Sequence, residues 1–382
     1  MLKLIRITTV PQSLKTLLKG QLHFMKQYYD VVAVSSDGEC FAEMLKEQEV
    51  RGVCVRMTRK ITLVADLKAL FALIWLFIKE KPEIVHTHTP KAGLLGMLAA
   101  RIVGVPCRLH TVAGLPLLVA TGKKRKLLDF VERLTYVCAT HVYPNSFVMK
   151  QIIIDNGLTK ADKLKVIANG SSNGINTSFF SVNASFNKLE RDPNVFTFCF
   201  VGRVVRDKGI NELINAFARL YKENSKIRLV LIGVLENSLD PVLPETEKLI
   251  RTHPAINFEG YQSDIRPFLA ASDVFVFPSY REGFPNVVMQ AGAMGVPAIV
   301  TDINGCNEII VQDKNGVIIP PKDEEALLFA MKDLASSPEK VSRLAANARE
   351  MITSRYEQRL VWEGILKEYQ KAICTNISSN VP

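Results

Sequence analysis

The chain has 382 residues, 48% of them apolar, with a slightly positive mean hydropathy and a net charge of +10. It is too long for one hydrophobic core, so two domains are expected, and 48% apolar is high for a freely soluble enzyme but ordinary for one working against a membrane. The excess charge is confined to one half: residues 1–180 hold 25 Lys plus Arg against 13 Asp plus Glu, and the remainder 23 against 25. With no helix-turn-helix pattern and no aromatic-rich RNA signature, this asymmetry points to an anionic membrane surface or a phosphate-bearing acceptor, not to nucleic acid.

The first residues, Met1 to Val10, alternate like a strand, expected over Lys3 to Val10, and carry no export signal, which predicts a cytoplasmic protein. The loop that follows contains Gly20 and reads by itself as a flexible surface loop. The apolar run through Leu70 to Ile78 is well short of the roughly 20 residues a bilayer requires, so no membrane span is predicted. Val-rich and Ile-rich runs recur at Val31 to Ser35, Ile84 to Thr87, Cys107 to Thr111 and Leu164 to Ala168, with helical stretches between them, which is the βαβ rhythm of a parallel sheet. Lys123-Lys124-Arg125-Lys126 precedes an amphipathic helix expected from Leu127 to about Cys138, and it reads equally as a lipid-docking element or a solvated helix start.

Ser171 to Pro193 is the best linker. The rhythm restarts at Val195 to Val201 and continues through Arg228 to Ile232, Ile256 to Phe258, Val274 to Phe277 and Ala298 to Thr301. The expected organisation is α/β, with two doubly wound, Rossmann-like parallel-sheet domains at residues 1–180 and 181–355. A C-terminal helix, expected over Glu357 to Ile373, packs back on the first domain, and a disordered tail follows from Thr375. The seven cysteines are scattered and odd in number, so neither a disulfide framework nor a zinc site is expected.

Two motifs carry chemistry. Strand Phe196 to Val201 runs into Gly202-Arg203-Val204-Val205-Arg206-Asp207-Lys208-Gly209 and then a helix. Glycines allow a ligand to approach the backbone, the helix start offers free N–H groups, and Arg203 with Lys208 supplies charge for a diphosphate. The bland alternative is a glycine-bounded turn with exposed basic residues. After Val274 to Phe277 comes Pro278-Ser279-Tyr280-Arg281-Glu282-Gly283-Phe284-Pro285-Asn286, which sets Glu282 at a strand's end, where it can accept hydrogen bonds from sugar hydroxyls. A helix-capping loop with a surface glutamate is the plain alternative. His110 closes Arg108-Leu109-His110-Thr111 at another strand's end, where it is either a ligand contact or a core histidine. His86 and His88, at i and i+2 with no third ligand nearby, read as structural or acceptor-side residues rather than metal ligands.

With these motifs in order, the chain resembles glycosyltransferase family 4, whose members pair a G-R-x-x-x-x-K-G turn with an E-x7-E element. The likeness extends through His86-Thr87-His88-Thr89-Pro90-Lys91, Leu109 to Gly114, Pro144-Asn145-Ser146 and Thr301 to Glu308. It implies a GT-B fold and retaining transfer. It also implies that Arg203 and Lys208 hold the donor diphosphate, that Glu282 faces the transferred sugar and that His110 reaches that sugar from the first domain. Gly20, Gly202, Tyr261, Gly283, Phe284, Pro285, Asn286, Val287 and Gln290 would complete the nucleotide-sugar site, and Lys91 with Lys123, Lys124, Arg125 and Lys126 would serve the acceptor or the membrane. Gln290 stands where the family has its second glutamate, the usual ribose ligand, so weaker nucleotide affinity is expected.

No D-x-D occurs in the chain, so the expected reaction needs no metal and no cofactor beyond the UDP-sugar substrate. The motif combination looks most like transferases that build capsule, O-antigen or protein-glycan oligosaccharides on undecaprenyl diphosphate, including α-1,3-N-acetylgalactosaminyltransferases. The expected partners are therefore a UDP-N-acetylhexosamine, an undecaprenyl-diphosphate-linked acceptor and the anionic inner face of the cytoplasmic membrane. A GT-B nucleotide-sugar epimerase or hydrolase, and a non-catalytic sugar-nucleotide-binding protein, remain the alternatives.

Overall fold

The computed structural model describes residues 1–58, 62–236, 238 and 240–379, with the side chains of residues 39, 119 and 375–379 excepted. The chain divides into two compact units, residues 1–174 with 359–382 and residues 175–358. Each is built on a six-stranded parallel sheet.

In unit 1 the strands are β1 (Lys3–Ile7), β2 (Asp30–Ser35), β3 (Arg51–Cys54), β4 (Ile84–Thr87), β5 (Cys107–Val112) and β6 (His141–Pro144), in the order β3-β2-β1-β4-β5-β6. Unit 2 has β7 (Phe196–Val201), β8 (Ile227–Ile232), β9 (Ile256–Gly260), β10 (Val274–Phe277), β11 (Ala298–Thr301) and β12 (Gly316–Ile319), in the order β12-β11-β10-β7-β8-β9. The two orders are the same. Winding runs outward in one direction from the first strand and in the other from the fourth, so the strand order reverses between β1 and β4 and between β7 and β10. In such sheets ligands bind beyond the carboxyl ends of the strands at that reversal.

Central strands buried on both faces read as continuous apolar runs, and β4, β10 and β11 are buried at every position. In unit 1 one sheet face is covered by helices Leu63–Glu80, Pro90–Val103 and Gly122–Cys138, through Leu73, Leu76, Phe77, Leu95, Ala99 and Tyr136. The other face is covered by helices Pro11–Leu17, Gln21–Met25 and Glu39–Gln48 and by the C-terminal helix Gln358–Ser379, through Leu14, Leu22, Met44, Val361, Ile365 and Tyr369. The return of the chain to unit 1 is thus fixed by an apolar seam, with Tyr369 fully buried. In unit 2 the helix Ile210–Glu223 buries Leu213, Ile214, Phe217 and Leu220 at helical spacing against the sheet.

Several sequence expectations are corrected. β1 stops at Ile7, because Pro11 opens a helix. Leu164 to Ala168 is no sheet strand: it makes one bridge, Leu164 to Val142, and Ala168 has a φ of 50°. Its place at the sheet edge is taken by β6, and β3 and β12 are further strands that their four-residue length concealed. Residues 175–193 are not a free linker. Ile175 bridges to Glu357, Phe180 and Phe186 pack on the core of unit 2, and Arg266 lies 3.7 Å from the Phe179 ring centroid. The tail expected to be disordered from Thr375 is helical as far as Ser379, and residues 380–382 lie outside the described residues. No described helix is long and apolar enough to cross a membrane.

Trp362 ties the C-terminal helix to unit 1: its Nε1 donates to Asn173 Oδ1 at 2.7 Å, and its ring packs on Gly20. Trp362→Ala should destabilise unit 1 by about 2 to 3 kcal/mol. In scanning calorimetry the unit 1 transition should move down while that of unit 2 stays in place.

Candidate functional site

The turn after β7 and the loop after β10 meet at the strand-order reversal of unit 2. Residues Arg206–Lys208 form one 3₁₀ turn, Gly209 follows with a φ of 71°, and the helix Ile210–Glu223 begins. A Cβ on Gly209 would lie 2.1 Å from the Pro278 carbonyl oxygen, so only glycine allows both the left-handed backbone and this approach. Tyr280 N–H donates to the Asp207 carbonyl at 2.9 Å and fixes the same contact. These constraints bring Lys208 onto Glu282.

Lys208 Nζ donates to Glu282 Oε1, and both side chains are about five-sixths buried, at 15% and 16% exposure. Ser279, fully buried, donates its hydroxyl to the same oxygen at 3.0 Å. Glu282 Oε2 has no hydrogen-bond partner among the described residues. Lys208 Nζ also lies 5.6 Å from the Phe277 ring centroid. Asn304 Nδ2 donates to the Glu282 carbonyl at 3.1 Å and to the Gly283 carbonyl at 2.5 Å, which locks the loop after β11 onto the glutamate loop. Beneath the pair sits Cys306, whose thiol is pushed well up by burial and further by the Glu282 carboxylate. It stays a protonated core group.

Phe284 stacks edgewise on Tyr356, at 5.4 Å between centroids, and Pro285 is buried, so both anchor the loop. The helix Asn286–Ala293, one residue earlier than Val287 to Met294, opens without a side-chain cap and without an acidic residue in its first turn, leaving first-turn N–H groups for an anion. Val288, Met289, Ala291 and Gly292 are buried and Val287 packs partly on the core, while Asn286 and Gln290, one turn apart, share the outward face. Gln290 is half-buried, and its side chain makes no hydrogen bond among the described residues.

Other expected residues lie apart from this cluster. Gly202 follows β7, and its N–H donates to the Ile232 carbonyl. Arg203 is half-exposed and pairs with Glu236 at 2.9 Å, so the two motif cations start on different carboxylates. Tyr261 follows edge strand β9, two strands from β7, and is 75% exposed.

In unit 1, Gly20 has a φ of 78°, and a Cβ there would come 2.7 Å from the Trp362 ring, so its smallness is accounted for by packing. Lys91 is paired with Asp66 at 2.6 Å. Lys123, Lys124, Arg125 and Lys126 do not precede their helix but form its first turn, since it starts at Gly122. Arg125 is turned inward to Asp129, Asn156 and the Leu117 carbonyl, leaving the three lysines exposed.

His110 is buried under the helix Pro90–Val103. Its Nδ1 lies 2.8 Å from Thr87 Oγ1, and its ring touches Gly93, where a Cβ would come within 2.5 Å. Burial pulls its pKa from 6.5 down to about 4, so the ring is neutral at physiological pH. His86 is held between Tyr369 Oη at 2.6 Å and Thr111 Oγ1 at 2.8 Å. His88 Nε2 accepts from Arg6 Nε at 3.0 Å. Among the described residues no group of three or more His, Cys, Asp or Glu could hold a metal ion.

Sequence reasoning missed Ser279, Asn304 and the buried Arg6. The first two lay in view: Ser279 is in the glutamate loop and Asn304 in the Asp302-Ile303-Asn304-Gly305 turn after β11.

Residues 181–351 match the glycosyl transferases group 1 family, and residues 24–170 match the glycosyl transferase 4-like domain. The chain is 36% identical over 376 residues to the capsular polysaccharide biosynthesis glycosyltransferase CapM of Staphylococcus aureus, covering 96% of each chain.

The chain belongs to glycosyltransferase family 4.

It is also 33% identical, over 72% of each chain, to the UDP-Gal:alpha-D-GlcNAc-diphosphoundecaprenol alpha-1,3-galactosyltransferase of Escherichia coli. Its fold matches that of Anabaena HepE, solved in complex with UDP, with a TM-score of 0.77 at 17% identity over 97% of this chain and 100% of that one. Two parallel six-stranded sheets in this arrangement are the GT-B fold of the family.

The burial of His110 sets a pH dependence. Between pH 6.5 and about 4 the unfolded chain takes up a proton that the folded ring refuses, so stability falls as pH drops through that window. The slope is at most about 1.4 kcal/mol per pH unit for each such histidine. His86 and His88, also held well below 6.5 by burial, act in the same direction. In denaturant titrations across this range, His110→Asn should make the fall for unit 1 shallower and leave unit 2 unchanged.

Proposed function

We propose that this chain is a retaining transferase moving a hexose, with an N-acetylated hexosamine as the first choice, from UDP to a saccharide carried on a lipid diphosphate in surface-polysaccharide assembly. The observation that carries the reading is the Lys208–Glu282 pair at the strand-order reversal of unit 2, beside the open helix start at Asn286. It sets a cation, N–H donors and a carboxylate within one loop system, which are the groups a diphosphate and a sugar require.

In this reading the diphosphate takes Lys208, with Arg203 as the second cation, and the first-turn N–H groups near Asn286 and Val287 complete its cradle. Gly202 and Gly283 let the backbone come close, and Gln290 meets the ribose hydroxyls as a neutral acceptor. Tyr261 is assigned to the nucleotide, while His110, buried against Thr87 and Gly93, is left to the core of unit 1. Glu282, once Lys208 turns to phosphate, offers its oxygens to sugar hydroxyls.

As the bond from the anomeric carbon to the phosphate oxygen breaks, charge grows on the leaving UDP. Lys208 and Arg203 offset it where other transferases use a divalent ion. The acceptor hydroxyl attacks from the same face and gives its proton to the departing phosphate oxygen, so the configuration is retained and no protein base is needed. Metal-independent transfer is part of the proposal.

The E. coli relative's diphosphoundecaprenol acceptor and the basic charge of residues 1–180 support a lipid-linked acceptor at the inner face of the cytoplasmic membrane. The test is UDP release from a panel of UDP-sugars, in EDTA, with and without undecaprenyl-diphosphate saccharides. Acceptor-dependent release is expected, with UDP-galactose as the arm that would move the donor away from an N-acetylhexosamine. Free sugar without acceptor would make the chain a hydrolase, and loss of release in EDTA would end the metal-free route.

Lys208→Ala should lower kcat by about 10²-fold or more. Gln290→Glu should tighten UDP binding about fivefold by calorimetry, the effect of a charged acceptor worth about 1 kcal/mol; unchanged affinity would remove Gln290 from the ribose.

A further inference from the structure

Helix Leu63–Glu80 buries Ala69, Leu73, Leu76 and Phe77 against unit 1. Its opposite side, which the helical period should make polar, carries Leu63, Val64, Leu67, Phe71, Trp75 and Ile78, each between 55% and 79% exposed. With spacings of three or four residues they form one stripe along a helix about 27 Å long. The two acids of this helix are drawn away from the stripe, Asp66 onto Lys91 and Glu80 onto Lys3 and Arg51. Its exposed charges are Lys68 and Lys79, and Lys79 Nζ lies 5.2 Å from the Trp75 ring centroid, its stem lying along the apolar face.

The same layer continues the pattern. Helix Gly122–Cys138 exposes Leu127, Phe130 and Val137 together with Lys123, Lys124, Lys126 and Arg133. Its two acids are withdrawn as well, Asp129 onto Arg125 and Glu132 into the interior. An apolar stripe bordered by cations and cleared of acids matches the boundary between acyl chains and anionic headgroups. A second copy meeting this face about a two-fold axis would set lysines against lysines.

We propose that this face of unit 1 docks on an anionic lipid bilayer, with Phe71 and Trp75 reaching the acyl chains and the surrounding lysines meeting the headgroups. The proposal deepens the lipid-acceptor reading by naming the surface that reaches the membrane. Its test uses the full chain and vesicles with no acceptor lipid, so its outcome is separate from that of the transfer assay.

The chain has two tryptophans, Trp75 and Trp362, so fluorescence can follow the stripe directly. Vesicles of phosphatidylglycerol and phosphatidylethanolamine should shift the emission to the blue, and brominated acyl chains should quench it; Trp75→Phe should abolish both responses. Phosphatidylcholine vesicles should give neither. Lys68→Glu with Lys79→Glu should lower partitioning by more than about tenfold at low salt. Phe71→Ser with Trp75→Ser should lose vesicle flotation at unchanged circular dichroism. No Trp75 response at saturating vesicles overturns the proposal, as does a dimer in sedimentation velocity that the serine pair dissociates.

Discussion

The ion pair between Lys208 and Glu282 is the constraint on which the site in unit 2 depends. It can form only because the turn after β7 lies against the loop after β10, and that contact exists only because Gly209 has no side chain where the Pro278 carbonyl sits. The sheet order makes the two loops neighbours. Motifs separated by some 70 residues of sequence are thereby brought within hydrogen-bond distance at the one place where adjacent loops diverge to opposite faces of the sheet.

The pair has a cost and a use. Each partner is about five-sixths buried, so neither charge is well hydrated, and each stabilises the other in place of water. A diphosphate entering the site competes with Glu282 for Lys208 and, if it wins, releases a carboxylate already held by Ser279. In the proposed mechanism the nucleotide therefore prepares the sugar contact: phosphate recognition and hydroxyl recognition are coupled through one lysine. A substitution at either residue disturbs both, because removing one partner leaves the other buried and unpaired.

Both sheets and both motif turns were legible because parallel strands buried on two faces, such as Val274 to Phe277 and Ala298 to Thr301, leave runs that no other element matches at that length. The edge strands β3, β6 and β12 were not legible: a strand of four residues is too short to show a period, and in β3 and β6 the polarity is mixed as well. Arg6 escaped for a different reason. In a strand a charged residue reads as solvent-facing, yet here it is fully buried, with Nε on His88 and Nη2 on Gln21 while Nη1 has no partner among the described residues, and those two partners come from 82 and 15 residues away in sequence. No local pattern predicts such a bond. The stripe on Leu63–Glu80 was likewise hidden, since an unbroken apolar run such as Ala69 to Ile78 looks like core until the structure shows which side the core takes.

The two units use burial to opposite electrostatic ends. Unit 1 keeps His86, His88 and His110 neutral inside its sheet layers and, apart from the buried Arg6, carries its excess of cations mainly on the outside, with the acids of the two stripe-bearing helices, among the described residues, drawn away from the apolar face. Unit 2 has almost balanced charge and concentrates it in paired sites at the strand ends, Arg203 with Glu236 and Lys208 with Glu282. A surface of one sign acts at a distance and suits an extended anionic partner such as a lipid layer, whereas a paired, half-buried cation acts only on an anion that can displace its partner. In the proposed reading that division matches each unit to a ligand of its own kind: a broad negative surface for one, a compact diphosphate for the other.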